Sequence, residues 1–339
     1  MTDLFARLKP PGGGGSADRV SLPNFLVIGA HRSGTTSLYY ELAQDAQFFM
    51  APVKETNFFA VAKGETDLPL TPNARTRLIE RSIVTAEEYV ALFDGSSGAV
   101  AVGEVSPSYL YSPTAAKRIK ASLPQAKLVA ILRNPVDRAY SAFARRTGGS
   151  VDVSFEQDFV ETAVREAEAR SRGEPADRLT LVDGSLYGVH LSHYYNLFER
   201  SQIHIALFED LWSHRGESWD AMYQFLEADN SGPEGATSHF NASGSPRSQR
   251  LDRLIKGAPR LRRFVKTTLP RRLVLSAGLA RQRIEKWNLR RPHAITDHER
   301  SFLLDRYFRQ DIRHLAALTG KDFTRWLDPT PSNPMSLPS

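Results

Sequence analysis

The stretch Phe25-Leu-Val-Ile-Gly-Ala-His-Arg32-Ser-Gly-Thr-Thr-Ser-Leu38 leaves this chain little freedom in how it folds. Phe25 to Ile28 read as a short buried strand, Gly29 opens a tight turn, and a helix begins near Thr35. Such a turn presents unpaired backbone N–H groups and the positive end of a helix dipole, which together hold a phosphate or a similar tetrahedral anion. The Gly29-x-x-x-x-Gly34 spacing matches a phosphate loop, but Thr35-Thr36 stand where nucleotide triphosphatases carry Lys-Ser/Thr. The basic residue is instead Arg32, two places before Gly34. The loop Arg32, Ser33, Gly34, Thr35, Thr36, Ser37 can therefore cradle a phosphate, but it lacks the lysine that ATP-handling loops place on the β- and γ-phosphates.

A second anion feature lies about 100 residues on. Leu128 to Leu132 form a continuous apolar run, as a central parallel strand requires. The run stops at Arg133, and Pro135 then opens a helix from a favoured first position. Ser141 sits two turns into that helix. A nucleotide triphosphatase would end such a strand in a carboxylate that helps hold magnesium; this strand ends in arginine.

Arg32-Ser-Gly-Thr-Thr-Ser-Leu resembles the 5′-phosphosulfate loop of sulfotransferases that use 3′-phosphoadenosine 5′-phosphosulfate (PAPS), of bacterial type and similar to the glycan- and heparan-modifying domains. Further matches follow in order: Lys54-Glu55-x-x-Phe58-Phe59, Gly103-Glu104-Val-Ser106-Pro-Ser-Tyr109, the Arg133/Ser141 pair, Glu209-Asp210-Leu211 after a strand, and Gly320-x-Asp322-Phe-x-x-Trp326 at the end of a C-terminal helix. The resemblance runs from about Phe25 to Trp326. It implies one α/β domain, with a central parallel sheet, helices on both faces and P-loop-like topology, binding its ligand at the strands' C-terminal ends. It implies PAPS as co-substrate and no metal. Arg133 would grip the ribose 3′-phosphate as a planar fork, with Ser141 adding a hydroxyl. Arg32 would stabilise the transferring group, although many relatives carry Lys there. Arg247 corresponds to the nucleotide-covering loop.

By the same resemblance Glu55 is the base that takes the acceptor's proton. Its pKa is expected to rise by burial against Phe58 and Phe59, with Lys54 and Arg32 opposing. Glu104 is a second carboxylate candidate, with a buried structural role favoured. Arg138 either adds charge to the phosphate site or faces solvent. His190 and His193 read as packing or surface residues, and Glu209 and Asp210 as helix caps.

Composition narrows the rest. Cysteine is absent among 339 residues, which excludes disulfides and thiolate chemistry. No apolar run approaches the roughly 20 residues of a membrane span, and no secretory signal is visible. A cytoplasmic protein, or one peripheral at a membrane, is expected. Residues 247–291 hold fifteen Lys/Arg against two acids; with a net charge of +6 overall, the remainder is about seven negative. That segment interleaves its charge with apolar residues, so an anionic membrane or an acidic polymer is a candidate partner, and solvated packing helices are the alternative. Nucleic acid is not expected, because no motif supports it. The expected organisation is a flexible leader over 1–20, the sulfotransferase domain over 21–327 with a cleft insertion at 142–185, and a loose tail over 328–339. The acceptor, a glycan, glycolipid or other hydroxyl or amine compound, is not readable. A P-loop-type small-molecule kinase and a non-catalytic nucleotide- or polyanion-binding protein remain as alternatives.

Overall fold

A computed structural model describes residues 22–147, 155–213, 216–229, 245–246, 284, 289–290 and 295–328. The elements run in chain order as β1 (Phe25–Gly29), α1 (Thr35–Gln44), β2 (Phe48–Met50), α2 (Phe58–Val61), α3 (Pro72–Glu80), α4 (Ala86–Val90) and β3 (Ala101–Val105). There follow α5 (Pro113–Ser122), β4 (Lys127–Leu132), α6 (Pro135–Thr147), α7 (Phe155–Ser171), α8 (Tyr187–Tyr195), β5 (Ile203–Leu207), α9 (Phe208–Ser213) and α10 (Glu217–Phe225). A short pair, β6 (Ser245–Pro246) and β7 (Leu289–Arg290), precedes α11 (Asp297–Leu303) and α12 (Arg309–Thr319).

The main sheet has five strands in the order β2-β3-β1-β4-β5, all parallel. This is the expected α/β architecture. Every residue of β1 is buried, and so is β4 after Lys127, because helices cover both faces of a parallel sheet. Two apolar layers result. Leu26, Ile28 and Leu128 belong to one, with α2, α5 and α8; Phe25, Val27 and Val129 belong to the other, with α1 and α10. Each fully buried Leu, Ile or Phe contributes roughly 1.5–3 kcal/mol of transfer free energy.

The third strand lies two residues later than Ala99–Val102 suggests, and it includes Glu104. A carboxylate can occupy this interior position because four hydroxyls surround it. The C-terminal helix begins at the expected capping box, with both Thr296–Glu299 bonds formed, but a π-helical turn over Leu304–Phe308 separates α11 from α12. Arg300 ties this helix to α6 through Asp137 at 2.6 Å. Glu209 and Asp210 stand in the first turn of α9, as cap residues do, and also reach other elements. Glu209 accepts the N–H of Asn134 at the start of α6, and Asp210 takes both arms of Arg325. Residues 1–20, Arg247 and most of 247–291 lie outside the described residues.

Candidate active site

The loop between β1 and α1 is fixed from below. Ala30 donates its N–H to Ile131 of β4 at 2.8 Å, and His31 donates its own to the Tyr111 hydroxyl at 3.1 Å. Arg32 and Gly34 both take left-handed backbone, with φ of 70° and 85°. At Gly34 a Cβ would stand 2.7 Å from the Trp212 indole nitrogen and 3.0 Å from the Phe208 ring, so both conformation and space demand glycine. Gly34 is also the N-cap of α1 and brings no side chain to occupy the first-turn amides.

Arg32 turns across the mouth of the sheet, and its Nε donates to the Ser141 hydroxyl at 3.1 Å. The loop after β1 and the serine of α6 are thus in direct contact. Arg133 leaves the end of β4 and lies over the Phe208 ring, 4.7 Å from its centroid. Asn134 caps α6 by accepting from Val136 and Asp137, which points residues 138, 141 and 145 along one helical face toward the loop. Arg32 is held below the usual guanidinium range, at about 10, by burial and then by Arg145, Arg133 and Arg138. Four guanidinium groups therefore repel one another at the strands' C-terminal ends. Arg138 neither faces solvent nor pairs with an acid among the described residues. It is 1% exposed and donates to the Ser185 hydroxyl and to the carbonyls of Thr180 and Leu181. Arg145 escaped the sequence reading, although its spacing from Arg138 and Ser141 carried the signal.

On the other side of His31 stands Glu55. Its carboxylate accepts from Lys54 Nζ at 2.7 Å, with Lys54 mostly covered and Glu55 44% exposed along its side chain. The expected upward pKa shift is reversed. Lys54 first, and then His31 and Arg81, outweigh burial and hold Glu55 at about 2. His31 is pushed down to about 4, chiefly by burial; Lys54, Arg138 and Arg81 push the same way, and Glu55 opposes them. Its ring stacks on Tyr111 at 5.7 Å between centroids. No sequence motif pointed to His31 or Tyr111. His190 is buried, with its Nε2 2.8 Å from the Asp183 carbonyl.

Behind Glu55, Glu104 is fully buried and accepts from four hydroxyls: Thr56 at 2.8 Å, Ser106 at 2.7 Å, Tyr89 at 3.2 Å, and Tyr109. Burial pushes its pKa up, and these four bonds oppose the shift. The Tyr89 and Tyr109 phenols are raised by burial and by the charge of Glu104, so they remain donors.

The sheet is parallel, the anion loop lacks the ATP-handling lysine and an arginine closes β4, and the profile of the Sulfotransferase family matches residues 23–231. The chain belongs to that family. It is 29% identical over 224 residues to the bifunctional heparan sulfate N-deacetylase/N-sulfotransferase 4 of Mus musculus, covering 66% of this chain and 23% of that protein. It is 32% identical over 159 residues to the membrane-associated sulfotransferase kil1 of Dictyostelium discoideum, covering 42% of this chain and 30% of that one. The chain thus spans less than a third of the length of these relatives. The crystal structure of a sulfotransferase from Alicyclobacillus acidocaldarius shares its fold, with a TM-score of 0.61, 23% identity, and coverage of 90% of this chain and 99% of that one. Among the described residues no helix is long and apolar enough to cross a membrane, and no three His, Asp or Glu side chains group to hold a metal ion.

Proposed function

We propose that this sulfotransferase moves the sulfuryl group of PAPS to a hydroxyl or amine of an acceptor. The observation that carries the reading is the gathering of Arg133, Arg138 and Arg145 near Arg32, whose Nε donates to Ser141. Positive charge accumulates there, where a doubly phosphorylated nucleotide would supply negative charge. Arg32 and the amides of residues 33–37 hold the phosphosulfate end. Arg133 and Ser141 hold the 3′-phosphate, and Arg247, which follows the β6 segment packed against α6, adds to it. These cations do the work that magnesium does in kinases, so no metal is required.

In the transfer, the acceptor oxygen or nitrogen forms a bond to sulfur as the bridging sulfur–oxygen bond breaks. The electron pair stays on the 5′-phosphate and adenosine 3′,5′-bisphosphate is released. Glu55 takes the acceptor's proton. A carboxylate near 2 is a weak base at neutral pH, but a bound anionic donor competes with Glu55 for Lys54. Losing that cation moves the carboxylate up toward its working range.

The glycan-directed relatives support a glycan or glycolipid acceptor, and the basic segment 247–291 suits an anionic membrane or an acidic polymer. The domain spans 21–327, with 142–185 over the cleft, in a cytoplasmic or membrane-peripheral protein. The test is calorimetric titration with adenosine 3′,5′-bisphosphate in EDTA, followed by transfer from labelled PAPS to a panel of glycans and lipids. Binding and transfer without metal, both lost in Arg133→Ala, are expected. Activity that needs magnesium and ATP, or survives Arg133→Ala undiminished, defeats the reading.

A further inference from the structure

The environment of Glu104 is built for more than burying a charge. Its four hydroxyl partners fill the lone-pair positions of both carboxylate oxygens, so the group is an acceptor throughout. Three of those hydroxyls have a second bond on the far side. Ser106 accepts the N–H of Asn57 at 3.0 Å, Thr56 accepts that of Phe58 at 3.3 Å, and Tyr109 accepts that of Phe59 at 3.4 Å. A hydroxyl has one hydrogen to give. With that hydrogen committed to Glu104, its lone pairs are left to face the backbone. One buried carboxylate thereby sets the direction of three hydroxyls, and they receive three consecutive amides.

Those amides begin two residues after Glu55. The turn they follow is unfavourable for its residues: Glu55 and Asn57 take φ of 62° and 52°, a region that non-glycine side chains rarely adopt. The Glu55 N–H is tied to the Val105 carbonyl and the Thr56 carbonyl receives the N–H of Ile83, so the end of β3 and the segment after α3 grip the turn from two sides. The Asn57 side chain closes it, accepting from Ser108 and donating to Ser82. Lys54 and Glu55 are then presented side by side at the rim.

We propose that Glu104 is a positioning residue of the transfer reaction, which acts through the Thr56, Ser106 and Tyr109 hydroxyls to hold the left-handed turn that aims Glu55. This rests on the assignment of Glu55 as the base, but its geometry can be tested without an acceptor. In Glu104→Gln the amide brings two hydrogens of its own into the cluster. Hydroxyls must rotate to accept them, and a rotated hydroxyl points its hydrogen at a backbone N–H. Thr56→Val removes one relay while keeping the shape, and Thr56→Ser keeps the relay.

The experiment follows the Glu55 side-chain carbon by NMR titration in the full chain, beside calorimetry with adenosine 3′,5′-bisphosphate. In Glu104→Gln and Thr56→Val the turn loosens and Glu55 parts from Lys54. Its midpoint is expected to rise by about one unit or more toward the ordinary value of 4.5. Nucleotide affinity is expected to stay within about twofold, and Thr56→Ser to behave as wild type. Once an acceptor is known, kcat should fall about 100-fold in the first two variants, with KM for PAPS unchanged. If Glu104→Gln does not fold, Thr56→Val carries the test. An unmoved Glu55 midpoint in a folded variant, or loss of nucleotide affinity in step with the shift, overturns the proposal. Failure of the wild-type protein to bind the nucleotide defeats the sulfuryl-transfer reading instead, and leaves the titration result standing.

Discussion

The two halves of the site handle charge in opposite ways. On the donor side, burial and then the neighbouring Arg145, Arg133 and Arg138 depress Arg32 to about 10. On the acceptor side, the one fully buried charge is Glu104, and four neutral hydroxyls answer it, while Glu55 is matched by its neighbour Lys54. The half around Arg32 gathers like charges, whereas the half around Glu104 answers its charge with hydroxyls. A half of like charges should respond to ligand, salt and charge removal; a half held by directed hydroxyls should respond to geometry.

The largest expected effects separate these halves outright. Glu55→Gln should lower kcat about 10²–10⁴-fold, as loss of a general base does, and leave adenosine 3′,5′-bisphosphate binding within about twofold. Arg133→Ala should weaken that binding about 10²–10³-fold, because a charged fork on a phosphate is lost. Calorimetry and initial rates on both variants check the crossing. If Glu55→Gln costs nucleotide affinity as heavily as Arg133→Ala does, the two halves are one pocket and the contrast is false.

A smaller effect sharpens the same contrast. Arg145 lies a turn beyond Ser141 and, of the neighbouring cations, bears most strongly on Arg32, so Arg145→Gln should weaken nucleotide binding about tenfold. The same substitution relieves repulsion, so it should raise the thermal midpoint of the ligand-free chain and narrow the gain that the nucleotide gives. A lower ligand-free midpoint would mean that Arg145 is structural, and that the donor half is less strained than its charges suggest.

The difference between the halves also explains what could be read from the chain. Arg133 at the end of an apolar strand and Arg32 inside a glycine turn stand out in the local sequence. Ser141 came only from the family resemblance, and helical spacing from it reaches Arg145. Glu104 was visible only as a carboxylate near a strand end. Its partners come from residues 56, 89, 106 and 109, on segments that meet only after β3 has joined the sheet, and Thr, Ser and Tyr are ordinary core residues until their hydrogens are placed. The pKa of Glu55 was misjudged for a related reason. The motif suggests burial against Phe58 and Phe59, but the Glu55 side chain stays 44% exposed, and its 2.7 Å contact with Lys54 depends on a left-handed turn that no residue type there announces.

The smallest effect concerns acid. His31 is held neutral in the fold, with its pKa lowered to about 4, while the unfolded chain would protonate it near 6.5. Between those values the unfolded chain binds more protons, so stability is lost as pH falls through that window. Glu55, lowered to about 2 from 4.5, adds a second loss further down, in the same direction. His204, on the far edge strand and also lowered to about 4, contributes like His31 but lies outside the site. The urea midpoint should therefore be lower at pH 5 than at pH 7 in the wild type, and His31→Gln should remove part of that fall, with His204→Gln and the buried His190, also lowered by burial, accounting for the rest. The nucleotide's phosphates gain protons at about pH 6, so the nucleotide should restore less stability at pH 5 than at pH 7. If His31→Gln leaves the acid-side loss unchanged, the imidazole is not held neutral between Tyr111 and Glu55, and the acceptor half is less closed than its hydrogen bonds imply.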